Sequence, residues 1–342
     1  MGGFLRFLLV LVLLLGGAAF GVGAYAWNRL TAPGPLADAK PVVVPRGANT
    51  EGISEALLRA GVIDSGPAFT LAAWGTRPEG PLRAGEYVFP ARGSLREVLE
   101  VLRHARPVQR RLTVPEGLLA RQIVALLDRA EGLTGETPAI EEGAFLPDTY
   151  VYGWGDSRAA IVRKATAEMT DALREAWAAR ATGLPLGSPR EALVLASIVE
   201  RETGQASERA KVASVFVNRL RRGMPLQSDP TVTYAATDGA TLDRPPTRAE
   251  LDRDSPFNTY RVRGLPPGPI AAPGRDAIRA VTRPEATDFL FFVADGGGGH
   301  AFSRTLEEHN RNVARWREGR EAARVGAPAA APAPPVAPTP AR

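Results

Sequence analysis

No cysteine occurs in the 342 residues. Disulfides, thiolate metal sites, lipoprotein anchoring and cysteine nucleophiles are therefore excluded together. Histidine is almost as scarce: His104, His300 and His309 lie far apart and none stands in an HExxH spacing. That argues against a zinc hydrolase and leaves a Ser-His-Asp hydrolase few candidates. Aromatic residues make up only 7%, and the +5 charge, from 42 basic and 37 acidic residues, is scattered and carried almost wholly by arginine. A nucleic-acid binder needs a concentrated basic patch with stacking rings, whereas this balance suits proximity to anionic lipid or cell-wall polymer. The sequence implies no metal and no cofactor. Its chemistry falls to carboxylates.

Charge is also missing locally. From Phe7 to Trp27 there are 21 consecutive uncharged residues, mostly Leu, Val, Gly and Ala. At about 1.5 Å per residue such a helix crosses a hydrocarbon core of roughly 30 Å. Arg6 precedes the run, and Tyr25 and Trp27 stand where interfacial aromatics belong. The expectation is a single-pass inner-membrane anchor with residues 1–6 cytoplasmic and the remainder periplasmic. A cleaved signal peptide is the alternative, since Ala24-Tyr25-Ala26 resembles a cleavage site; the run exceeds the usual h-region of about 7 to 15 residues.

With 44% hydrophobic and 23% charged residues the rest of the chain can bury real cores. The expected class is α+β: a tether at 28–40, a small α+β module at 41–107, a larger α+β domain at 112–321, and a disordered Ala/Pro-rich tail at 322–342. In the module the spacing predicts strand, helix, helix, strand, helix: Val42–Val44, Glu51–Ala60, Pro67–Trp74, Glu86–Phe89, then a helix opened by a capping box at Ser94-Leu95-Arg96-Glu97. In the larger domain helices are predicted after Gly117, over 158–180, over 190–203, and from a Ser207 cap to Arg222. A strand at Phe289–Ala294, a turn over 295–299 and a partner strand at Ala301-Phe302 follow. Thr305-Leu306-Glu307-Glu308 is a second capping box opening the last helix.

The nearly all-apolar helix over 190–203 ends by planting Glu200 and Glu202. At about 100° per residue the two point roughly 200° apart, so they have different jobs. A carboxylate in the last turn meets the negative end of the helix dipole, and apolar neighbours desolvate it; both raise its pKa. Such a break with local helix design marks a functional position. Ion pairing with Arg201, Arg209 or Lys211 would instead make either glutamate structural, and the helix argument alone leaves both readings open.

A wider set of phrases narrows the choice. Phe145-Leu146-Pro147-Asp148-Thr149-Tyr150, Ile198-Val199-Glu200-Arg201-Glu202-Thr203, Lys211 to Leu220, Gln227-Ser228-Asp229-Pro230-Thr231-Val232, Ser255-Pro256-Phe257-Asn258-Thr259-Tyr260, Gly264 to Ile270, and Phe292-Val293-Ala294-Asp295 with His300 resemble the signature of the YceG-like endolytic murein transglycosylases, the MltG family. The phrase Leu82 to Tyr87 similarly resembles a LysM-like module; a small packing domain without a ligand is the other reading. The resemblance implies cleavage of peptidoglycan between N-acetylmuramic acid and N-acetylglucosamine within the strand, leaving 1,6-anhydromuramyl ends, with Glu200 as the general acid and base. It also implies cell-wall synthases of the penicillin-binding class as partners. Gln227, Ser228, Asp229, Asn258, Tyr260, His300, Asp148 and Glu202 are then the candidates for substrate contact, although each could be a turn former, a cap or a packing residue. Phe257 departs from the family pattern, where tyrosine is common, and lacks a hydroxyl contact. Two rivals stand beside this reading. One is a non-catalytic, membrane-tethered peptidoglycan-binding scaffold; the other is a hydrolytic muramidase in which Asp148 or Asp229 activates water.

Overall fold

A computed structural model describes residues 2–237 and 244–326. The expected tail lies, from residue 327 onward, outside the described residues. The chain forms two compact units: Met1–Thr113 with Ala125–Pro138 and Thr149–Ile161, and Val114–Val124 with Ala139–Asp148 and Val162–Arg342. A single boundary near 112 was the expectation; the chain instead returns twice to the first unit.

The first unit begins with α1 (Gly2–Thr31). Its Arg6–Thr31 stretch is long and apolar enough to cross a membrane, and none of its apolar window is buried. Beyond it β1 (Lys40–Val44) pairs antiparallel with β2 (Gly85–Phe89), setting Val42 opposite Tyr87. Strand alternation turns Val42, Val44, Tyr87 and Phe89 inward, where α2 (Thr50–Arg59), α3 (Gly66–Gly75) and α4 (Leu95–His104) cover them. Each helix starts on a side-chain cap. Asn49 accepts from the Gly52 amide at 2.9 Å and Ser65 from Ala68 at 3.3 Å, while Ser94 and Glu97 complete the expected capping box. Ile53 and Leu57 from α2 and Val98, Leu99 and Leu102 from α4 supply the helical share of the core.

One strand pair of this unit was not foreseen. β3 (Gln109–Thr113) pairs antiparallel with β4 (Thr149–Gly153), with Arg111 opposite Val151. The Gln109-Arg110-Arg111 start hides β3 in an apolar scan, and its partner lies 36 residues away. Arg110 ties the pair down through Glu86 at 2.9 Å and Glu131 at 2.8 Å. Helices α5 (Ala120–Arg129) and α6 (Arg158–Ala178) carry the chain between the units.

The second unit is built round α7 (Pro189–Glu202), which buries Ala192 and every residue from Val194 to Val199. Ser188 caps it, accepting from the Glu191 amide at 3.2 Å. Against it pack α8 (Arg209–Arg221) and, after the short helices α9 (Asp229–Thr237) and α10 (Arg248–Leu251), helix α11 (Arg275–Thr282). Strands β5 (Phe291–Ala294) and β6 (His300–Ser303) form the expected hairpin around the 295–299 turn. Helix α12 (Leu306–Gly326) follows and runs past Glu321.

Two caps differ from expectation. Helix α8 starts after Glu208 without a side-chain cap, because Ser207 lies one residue too early. Thr305 does cap α12, accepting from the Glu308 amide at 3.2 Å, but the Glu308 carboxylate takes the Arg304 amide at 2.9 Å, so the second capping box is only half formed.

Candidate functional site

The end of α7 separates its two glutamates as the 200° argument requires. Glu200 faces α8 and the segment before α11. Its Oε1 accepts from Arg209 at 3.3 Å and its Oε2 from the Gly274 amide at 2.9 Å. Arg209 is itself buried and also meets Glu116 at 3.6 Å and Asp276 at 3.8 Å. Burial pushes the Glu200 pKa up; the Gly274 amide opposes this, the Glu116 charge adds to it, Arg209 opposes it and Asp276 adds to it. Both of its oxygens are held by donors. The Arg209 contact is the ion pair that the helix argument left open, although the net direction of the Glu200 pKa is up.

Glu202 faces a cavity of about 290 Å³ lined also by Arg219, Gln227, Asp229, Tyr260, Phe291 and His309. It is half-buried, and Oε1 receives the Ser228 hydroxyl at 2.5 Å. Among the described residues, Oε2 meets no hydrogen-bond donor. Burial pushes its pKa up to about 7, against the lowering effect of Ser228; the Asp229 charge adds to the rise and Arg219 opposes it. A carboxyl titrating near neutrality is suited to give a proton and take one back.

The wall of the cavity is fixed by backbone carbonyls. Arg219 donates to Leu290 O at 2.7 Å and Leu226 O at 2.8 Å, lies over the Phe291 ring at 5.1 Å, and reaches Gln227 Oε1 at 3.2 Å. Burial pushes its pKa down, although a guanidinium stays charged. Gln227 holds a left-handed φ of 51°, an uncommon conformation for a side-chain-bearing residue that recurs at binding sites. Opposite it the Tyr260 hydroxyl donates to Asp229 Oδ1 at 2.7 Å, and burial pushes the phenol pKa up. Asp229 opens α9.

The structure thus gathers Glu202, Gln227, Asp229 and Tyr260 round one cavity, with Ser228 bonded to Glu202. The remaining candidates sit elsewhere. Asn258 is fully buried and consumed by the backbone: Nδ2 donates to Leu251 O at 2.9 Å and Arg253 O at 2.8 Å, and Oδ1 takes the Tyr260 amide at 3.0 Å. It shapes the Tyr260 loop. His300 Nδ1 pairs with Glu208 at 2.7 Å, and Asp148 is exposed, its carbonyl accepting from Val114 at 2.9 Å. Neither lines the cavity. Phe257 packs on the Tyr234 ring at 4.9 Å, a contact that needs no hydroxyl.

Sequence reasoning missed Arg219, Phe291 and His309. A signal for Arg219 existed, because it follows Val215 and Phe216 on the apolar stripe of α8, where a solvated arginine does not belong. His309 and Phe291 gave none. Among the described residues no His, Asp and Glu side chains gather so as to hold a metal ion.

The chain is similar in sequence to known proteins. Over 170 residues the chain is 40% identical to a Bacillus subtilis protein named endolytic murein transglycosylase, covering 50% of this chain and 46% of that protein. A Streptococcus pneumoniae protein of the same name is 28% identical over 91% of this chain and 64% of its own length. The chain therefore spans less than two thirds of the length of these relatives. A crystal structure of a YceG-like protein from Listeria monocytogenes aligns with a TM-score of 0.48 and 28% identity, over 80% of this chain and 99% of that one. Residues 42–315 match the YceG-like family, and the chain belongs to it.

Proposed function

We propose that this protein is a membrane-anchored endolytic murein transglycosylase in which Glu202 is the general acid and base. The observation that carries the assignment is the Glu202 carboxyl, with a pKa of about 7, facing a cavity ringed by sugar-compatible polar groups. The sequence resemblance pointed to Glu200. The proposal moves the role two residues along, because Glu200 has Arg209 and the Gly274 amide on its two oxygens.

In this reading protonated Glu202 gives its proton to the glycosidic oxygen as the bond to C1 of N-acetylmuramic acid breaks. The resulting carboxylate then takes the proton of the same sugar's C6 hydroxyl as O6 bonds to C1. The products are a 1,6-anhydro end and a free hydroxyl on N-acetylglucosamine; the proton returns to Glu202 and no water is consumed. One carboxyl suffices, unlike the two needed by hydrolytic glycosidases. Arg219 steadies the carboxylate phase, and Asp229 holds Tyr260 as a sugar-facing ring. The names of the relatives support the substrate class. The Arg6 flank supports an N-terminus on the cytoplasmic side, the first unit is assigned a LysM-like affinity for glycan, and cell-wall synthases are the partners implied by the family resemblance.

Mass spectrometry of the ends released from purified sacculi tests this. Anhydro ends are expected from the parent, and Glu202→Gln should lose about 10² to 10⁴ in rate while staying folded, as expected for a lost general acid. Glu200→Gln should retain substantial turnover. Ends carrying an added water would favour a muramidase using Asp229, which lines the same cavity. Binding without any cleavage would favour the scaffold.

A further inference from the structure

His309 is a polar side chain lining the cavity to which the reading above gives no named role. It sits on the first turn of α12, and its ring stacks on Phe291 with centroids 5.2 Å apart and planes at 24°. Phe291 also carries the Arg219 guanidinium over its ring, so the imidazole is fixed in place by the same residues that fix the wall beside Glu202. Among the described residues its Nδ1 is buried and has no hydrogen-bond partner.

That orphaned nitrogen decides the chemistry of the ring. A hydrogen on Nδ1 would be a buried donor without an acceptor, which is costlier than a bare lone pair left facing apolar atoms. The ring is therefore neutral and keeps its single hydrogen on Nε2. Burial and then the Arg219 charge push the His309 pKa down, in the same sense. A ring held by stacking with one fixed donor is a recognition element, since stacking alone would be served better by phenylalanine.

We propose that His309 is a further glycan-binding residue, its Nε2–H donating to an oxygen of the amino sugar bound beside Glu202. The inference rests on the reading of this cavity as the glycan site. It adds a neutral donor on the α12 side to the polar groups that Gln227, Asp229 and Tyr260 supply.

Two variants of the full chain, assayed on purified glycan strands, decide it. His309→Phe keeps a ring for Phe291 and deletes both nitrogens. We expect kcat/KM to fall about tenfold, mostly through KM, the loss of one hydrogen bond to substrate. Its thermal midpoint should be no lower than the parent's, because an unpaired buried nitrogen has gone. His309→Gln restores a donor and should recover part of the lost affinity. A His309→Phe protein with parental kcat/KM would overturn the proposal, as would equal losses in both variants accompanied by a lower thermal midpoint, which would make the residue structural. Glu202→Gln in the same assay separates the two readings: if it turned over normally the acid assignment would fail, while the KM of the His309 variants would still report whether the ring touches glycan.

Discussion

A carboxyl that titrates near pH 7 in the folded chain makes a pH-dependent contribution to stability. The ordinary value is 4.5 and the folded value of Glu202 is about 7. Between these values folding takes up a proton, so the favourable contribution is complete below about pH 4.5 and is lost as pH rises through 7. Above that, an ionised Glu202 stands in a site that disfavours it. Glu202→Gln should then be more stable than the parent at pH 8 by about 1 to 3 kcal/mol, a value discounted for the open side of the residue, and the difference should vanish near pH 4. Denaturant melts of both proteins at the two pH values test this. If Glu202 is the acid, as proposed, turnover of the parent needs the protonated form and should fall as pH rises through about 7. A stability gap independent of pH would mean that Glu202 is not the group titrating there, whereas a gap that closes at low pH ties activity and instability to one proton.

At the scale of elements, α7 supports the site through a side chain that bears no chemistry. Ser197, fully buried, donates to Val194 O at 2.7 Å and accepts from the Ile270 amide at 3.0 Å, pinning the Gly264 to Ile270 segment onto the helix. Ser197→Ala leaves that amide buried and unpaired and should cost about 1 to 3 kcal/mol in a denaturant melt. A loss below half a kcal/mol would show that the segment is held by its apolar contacts alone. The helix itself was readable from its apolar run and its length, although its Ser188 cap was not read, and the β5–β6 hairpin was readable because apolar strands flank a glycine-rich turn. Strand β3 was not, since Arg110 and Arg111 serve a two-stranded edge where one face stays wet. Helices α9 and α11 went unread because Asp229-Pro230 signals a turn as strongly as a helix start, and α11 spans only Arg275–Thr282. The site was legible to the level of its phrases. Which of two neighbouring glutamates faces the cavity depends on what tertiary structure sets opposite each, Arg209 and Gly274 against one, Ser228 and Tyr260 beside the other.

The chain as a whole couples an exposed apolar helix to units that fold without it only if their cores are self-contained. Retention of α1 is one expectation: the mature protein should fractionate with membranes and keep its original N-terminus, and a start at Trp27 on N-terminal sequencing would identify a cleaved leader instead. The course of the chain gives a second. A cut at residue 112 looks natural in the sequence, yet residues 125–138 and 149–161 cluster with the first unit, and β4 has β3 as its partner along its whole length. A fragment spanning 112–321 keeps Leu112 and Thr113 but loses Arg110, and with it the strand facing Tyr152, which is buried in the intact chain. It also loses the Arg110 link to Glu131, and the whole β1–β2 core goes with it. Each large side chain uncovered costs about 1.5 to 3 kcal/mol, and two or three of them lower the midpoint of a domain this size by about 10 °C or more. Thermal melts followed by circular dichroism should therefore place the 112–321 fragment well below one spanning 31–321. Equal midpoints would show that the second unit carries those stretches unaided, and that the boundary expected from the sequence is the one that folding respects.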